Sequence, residues 1–145
     1  MTQFSAGDLI EIEIKSGLTY LQVTCLHPSY PEVIRHIEGV YINRPSELEL
    51  LTTQQSKIIG MAPIAKLIES GSIIGRKIGS AEIPQNYIAF PTFQTPIRNK
   101  QGQVIYWWFW DGDGIWYESD QKTIKNHNFP IREVMTANIL LQRIC

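Results

Sequence analysis

The sequence predicts an α+β protein that is mostly β: a curled antiparallel sheet or small, partly open barrel with one or two short helices attached. Three observations lead there. Leu9 to Ile14 alternates apolar and charged side chains, the period of a strand with one buried and one wet face. Gln103 to Ser119 reads as two strands around the turn Asp111-Gly112-Asp113-Gly114, which makes a hairpin. In the first half, only Pro63 to Gly71 pairs a helix start signal with a stop signal. Hairpin connections therefore outnumber long crossovers, and antiparallel pairing dominates.

In the first strand Ile10, Ile12 and Ile14 point inward. Lys15-Ser16-Gly17 is a turn, and the β-branched and aromatic segment Tyr20 to His27 is the second strand of that hairpin. Pro28 and Pro31 stop it, because neither has an N–H for the ladder. A third strand is predicted over Ile37 to Ile42 and a short fourth over Leu48 to Thr52, followed by the polar loop Thr52 to Ser56. In the Pro63 to Gly71 helix, Ile64, Leu67 and Ile68 fall at i, i+3 and i+4, one stripe to lay on a sheet. Ser72 to Ile78 continues as a strand. Pro84, Pro91 and Pro96 make Gly79 to Asn99 an irregular extended connection that carries Tyr87, Phe90 and Phe93 over the surface. The tail is predicted to form a second short helix at Pro130 to Thr136 and a closing strand from Ala137 to Ile144. No repeat or linker divides the 145 residues, which read as a single globular domain over 1–145.

Composition excludes several classes of function. With 13 Lys and Arg against 14 Asp and Glu, the chain lacks the basic footprint of a nucleic-acid binder. No apolar run is long enough to span a membrane, and Met1 to Asp8 has neither the charged start nor the apolar middle of a secretion signal. A cytoplasmic location is expected. Cys25 and Cys145 make no metal spacing and are expected to be reduced thiols.

The hairpin is the candidate site. Tyr106, Trp107, Trp108, Phe109, Trp110, Trp116 and Tyr117 hold nearly half of the chain's aromatic residues. Centring the turn on Gly112-Asp113 pairs Trp110 with Ile115 and puts Tyr106, Trp108, Trp110, Ile115 and Tyr117 on one face. Ile105, Trp107, Phe109, Trp116 and Glu118 take the other. Glu118 is the one formal charge in either set, and a carboxylate resists burial, so its face is read as the one that meets solvent or a partner. Trp107, Phe109 and Trp116 become recognition candidates together with Glu118. The alternative is a central strand buried on both faces. Asp111, Asp113, Glu118 and Asp120 lie in a stretch without Lys or Arg, which suits a basic partner. Turn geometry alone would also select Asp111 and Asp113.

Other chemistry has thin support. Asp111 to Gly114 lacks the remaining ligands of a calcium loop, including the distant bidentate Glu. Cys25 and His27 share a strand face, but such neighbours stand about 7 Å apart, too far for a hydrogen-bonded dyad. His36 and His127 have no His or Cys at zinc-ligand spacing. No catalytic residue, metal or cofactor is predicted, and the chain reads as a non-enzyme.

The order of short motifs also carries a likeness. Phe4-Ser5-Ala6-Gly7-Asp8-Leu9-Ile10-Glu11-Ile12, then Ser16-Gly17 with Tyr20 and Gln22-Val23, then Ile73-Ile74-Gly75 and Phe90-Pro91-Thr92-Phe93 together resemble the immunity protein 26 family. That resemblance implies a protein encoded beside a polymorphic bacterial toxin that neutralises the cognate toxin domain by binding it. The resulting expectation is an immunity-type binding protein, monomeric or weakly dimeric, that occludes a toxin domain bearing a basic surface. The alternative is a non-enzymatic small-ligand or carbohydrate recognition module built on the same aromatic hairpin.

Overall fold

A computed structural model describes residues 3–118 and 128–145. The chain is mostly β and forms two compact units, Met1–Ala89 with Val134–Cys145, and Phe90–Glu133. Each unit holds one antiparallel sheet, and neither sheet closes into a barrel.

The first unit has five strands: β1 (Asp8–Ile14), β2 (Gly17–Cys25), β3 (Val33–Tyr41), β4 (Ser56–Met61) and β5 (Gly75–Ser80). They lie in the order β4-β3-β2-β1-β5, so β1 to β4 form a meander and β5 returns to the free edge of β1. The helices are α1 (Leu48–Thr52), α2 (Ile64–Glu69) and α3 (Ala137–Ile144). One sheet face carries Ile10, Ile12, Leu21, Val23 and Ile34, and buries Ile64 of α2 with Leu140 and Ile144 of α3 against them. The stripe expected for α2 does pack on this core, with Leu67 and Ile68 beside Ile64.

The opposite face of the same sheet is also covered. Leu9, Tyr20 and Ile37 form a second cluster with Leu51, packed against Leu48 and Ile78. Glu11 lies on this face and is fully buried. The wet face expected for β1 is therefore a second interior, and its charges must be compensated in place.

Several elements differ from expectation for identifiable reasons. Leu48 to Thr52 is a helix, not a strand: Leu48 and Leu51 stand at i, i+3 and both reach the second cluster, while Glu49 and Leu50 face outward. The tail is inverted. Ala137 to Ile144 is helical because Leu140 and Ile144 at i, i+4 reach one core and the Thr136 hydroxyl caps the helix by accepting from the Ile139 N–H at 3.3 Å. Residues 130–136 are extended instead. Ile131 bridges Gln94 and Val134 bridges Met61: the Arg132 and Met135 N–H groups donate to the Gln94 and Met61 carbonyls, and the Pro130 carbonyl accepts from the Gln94 N–H. Strand β4 lies where no element was expected, and the chain has three short helices among its described residues.

The second unit contains β6 (Phe93–Arg98), β7 (Val104–Trp110) and β8 (Ile115–Glu118), in that order across the sheet. Its β6 falls in the proline-rich stretch expected to be irregular. Pro96 is accommodated because β6 is an edge strand, where a missing N–H breaks no interior ladder.

Gly17 closes the β1–β2 turn with φ +144°, and a Cβ there would stand 2.5 Å from the Tyr41 carbonyl oxygen. Gly17→Ala should therefore destabilise the fold by about 2 kcal/mol, from a strained backbone and a backbone clash together. Chemical denaturation of the variant measures this; an unchanged midpoint would show that the turn relaxes without cost.

Candidate functional site

The hairpin forms in the register that its turn predicts: Trp110 opposite Ile115, Phe109 opposite Trp116, Trp108 opposite Tyr117 and Trp107 opposite Glu118. Asp111 builds the turn by accepting the Asp113 and Gly114 N–H groups on Oδ1, at 3.1 and 2.7 Å. Those N–H groups, Gly114 foremost, hold its carboxyl below the usual range. Gly112 has φ +92°, and a Cβ there would meet the Phe90 ring at 2.7 Å.

Burial follows strand position more than face. On the Glu118 face, Phe109 of the central strand is fully buried, with Trp116 stacked on it at 5.8 Å and Phe129 edge-on at 5.7 Å. Phe109 is therefore a support beneath the surface, which corrects its reading as a contact residue. Trp116 on the edge strand is 39% exposed, while Trp107 and Glu118 are half-buried. Asp111 and Asp113 are exposed at the turn, and Asp120 lies outside the described residues.

The face read as inward also reaches the surface. Trp110 is buried there against Phe90 and Phe93, with the Arg132 guanidinium 4.5 Å from its ring centre. Farther along, Tyr106, Trp108 and Tyr117 form a three-ring cluster with centroids 5.4 to 6.4 Å apart. Tyr117 is 61% exposed and Ile115 55%. Edge-strand side chains thus emerge on both faces, whereas β7 side chains near the turn are interior on both.

A second group of polar side chains escapes sequence reasoning altogether. On the second face of the five-stranded sheet, Glu11, Gln22 and Arg35 are buried in neighbouring strands. Glu11 Oε2 accepts from Arg44 Nε at 2.7 Å and the Tyr20 hydroxyl at 2.9 Å, while Oε1 accepts from Arg44 Nη2 at 3.0 Å and Arg76 Nη1 at 2.6 Å. Arg44 and, secondarily, Tyr20 and Arg76 hold its carboxyl down at about 2 against the opposing pull of burial. Arg35 has different company. Its Nε donates to Gln22 Oε1 at 2.9 Å, Nη1 to Ser56 Oγ at 3.1 Å and Nη2 to the Thr52 carbonyl at 3.2 Å, with the Tyr87 ring 5.0 Å away.

The remaining candidates are dispersed. Cys25 Sγ is buried and directed at the Ile88 carbonyl oxygen 3.6 Å away, and burial pushes its thiol up, away from the reactive thiolate. His27 lies past the end of β2, its Nδ1 accepting the Ser29 N–H. His36 is buried inside β3. Among the described residues, no cluster of three His, Cys, Asp or Glu side chains is arranged to hold a metal ion, and no helix is long and apolar enough to cross a membrane. No protein family, curated protein or solved structure matches the chain.

Proposed function

We propose that this chain is a non-catalytic protein-binding module of the toxin-immunity type, acting in the cytoplasm by covering a basic surface of a cognate toxin domain with its β7–β8 hairpin. The observation that carries this reading is the edge strand β8, whose Ile115, Trp116 and Tyr117 are exposed on both faces beside Asp111 and Asp113. Aromatic anchors of this kind supply the central, desolvated contacts of an interface, and flanking carboxylates accelerate encounter with a cationic partner. Phe109, itself packed edge-on by Phe129, holds the Trp116 ring from below, which lowers the entropy lost when it docks. The motif resemblance supports the choice of a toxin as partner.

The test is co-expression with the C-terminal domain of the secreted protein encoded immediately upstream, scored by growth rescue and then by complex formation. Trp116→Ala or Tyr117→Ala should each speed dissociation about 30-fold, the equivalent of about 2 kcal/mol for a hot-spot ring. Unchanged affinity in a folded double variant would overturn the hairpin assignment.

One observation favours a second reading. The Tyr106, Trp108 and Tyr117 cluster, its rings set edge-on or tilted to one another with Tyr117 exposed, offers aromatic surface to a sugar or another small planar ligand. Saturable quenching of tryptophan fluorescence by oligosaccharides at micromolar concentration, lost in Tyr117→Ala, would support it over the protein partner.

A further inference from the structure

We propose that the cleft above Arg35 binds a small molecule carrying a single anionic group, a carboxylate or a phosphate. Arg35 is the anomaly that leads there. Its side chain is fully buried in β3, yet its three hydrogen-bond acceptors are an amide, a hydroxyl and a backbone carbonyl, all neutral. No described carboxylate lies within ion-pair distance of it, whereas Glu11 on the same sheet face draws two arginines. A buried guanidinium stays charged, so its positive field is left uncompensated inside a medium of low dielectric.

A cavity lies beyond the residues that enclose Arg35. A cleft of about 490 Å³ is bounded by residues 52–55 on one side and 82–87 on the other, a volume in the range of small-molecule sites. Two of its walls are also Arg35's neighbours: the Thr52 carbonyl accepts from Nη2, and the Tyr87 ring covers the guanidinium. The Thr52 and Thr53 hydroxyls are committed to the Glu49 and Leu50 carbonyls. Gln54, Gln55, Gln85 and Asn86, by contrast, are exposed around the cleft, and their carboxamides make no hydrogen bond with described residues. They supply the N–H donors that an anion needs at first contact, and Arg35 supplies the sign of the potential. Glu82 is the single ionisable carboxylate in the lining. It opposes a polyanion, which is why the ligand is assigned one anionic group.

The experiment is a titration of the whole protein with inorganic phosphate and, separately, with propionate, each at fixed ionic strength against chloride. The side-chain amide resonances of Gln54, Gln55, Gln85 and Asn86 are followed by NMR. Saturable shifts of these signals are expected. Arg35→Met should weaken binding about tenfold or more, and Glu82→Gln should tighten it severalfold, as loss of an attractive and a repulsive charge requires. Saturation by one anion and not the other assigns the headgroup. Saturation by neither, or affinity unchanged in Glu82→Gln, overturns the site, and the Glu82 variant decides the matter if Arg35→Met does not fold.

Discussion

Glutamine in place of Glu11 should cost the fold about 3 kcal/mol at neutral pH and erase part of its acid sensitivity. In the folded protein the Arg44 guanidinium, helped by Tyr20 and Arg76, holds the Glu11 carboxyl at about 2, against an ordinary value of 4.5. A carboxyl with a depressed folded value stabilises the native state fully above pH 4.5, and that stability drains away as pH falls toward 2. Glutamine imitates the protonated acid, so the variant should start lower at pH 7 and meet the wild type near pH 2. Arg44 and Arg76 are 52% and 43% exposed and rehydrate when released, so the loss centres on the buried carboxylate and the Tyr20 hydroxyl. Urea denaturation of both proteins from pH 7 to pH 2 measures the difference. Parallel curves across that interval would show that Glu11 titrates normally and that the two arginines are surface decoration.

Glu11 also shows where the sequence stops being readable. Leu9 to Ile14 alternates cleanly, and alternation is the mark of a strand with one wet face. Nothing local announces that Arg76 arrives from 65 residues away on β5, or Arg44 from the segment after β3, to neutralise that face. Arg35 is hidden for the same reason. Flanked by Val33, Ile34 and Ile37, it would read as an outward charge on an amphipathic strand, and only Thr52, Ser56 and Tyr87, brought in from other parts of the chain, enclose it.

The hairpin was readable because its determinants are local. Asp111 and Gly112 fix the turn, the turn fixes the register, and the register fixes which side chains share a face. Exposure was not readable, because it depends on β8 being the edge and β7 the centre of the sheet, a matter of strand order. The short helices failed for a different reason. Five residues of α1 barely complete one turn, too few for a period to show, and the run Ile139-Leu140-Leu141 in α3 fits either period until Thr136 is recognised as its cap.

Acidification from pH 7 to pH 5 should by itself weaken the fold by about 2 kcal/mol, through His36. This ring lies in β3 between Leu21 of β2 and Ile58 of β4. Its Nε2 is 2.7 Å from Thr19 Oγ1, and that hydroxyl donates to the Gly39 carbonyl at 2.9 Å, so Nε2 carries the proton and Nδ1 is the bare acceptor. Nδ1 is buried with no hydrogen-bond partner. A second proton would create a cation with no acceptor on that side, and burial, with a smaller push from Lys57, lowers the ring to about 4 from its ordinary 6.5. Between those values the unfolded chain holds the proton and the native chain refuses it, so stability falls as pH falls through 6.5 and stops falling below about 4. This window lies above that of Glu11, and denaturation at pH 7 and pH 5 isolates it. His36→Gln, which keeps an N–H for Thr19, should show little change over the same interval. Equal wild-type stability at the two pH values, or an NMR titration of the His36 ring near 6.5, would place an acceptor at Nδ1 and refute the assignment.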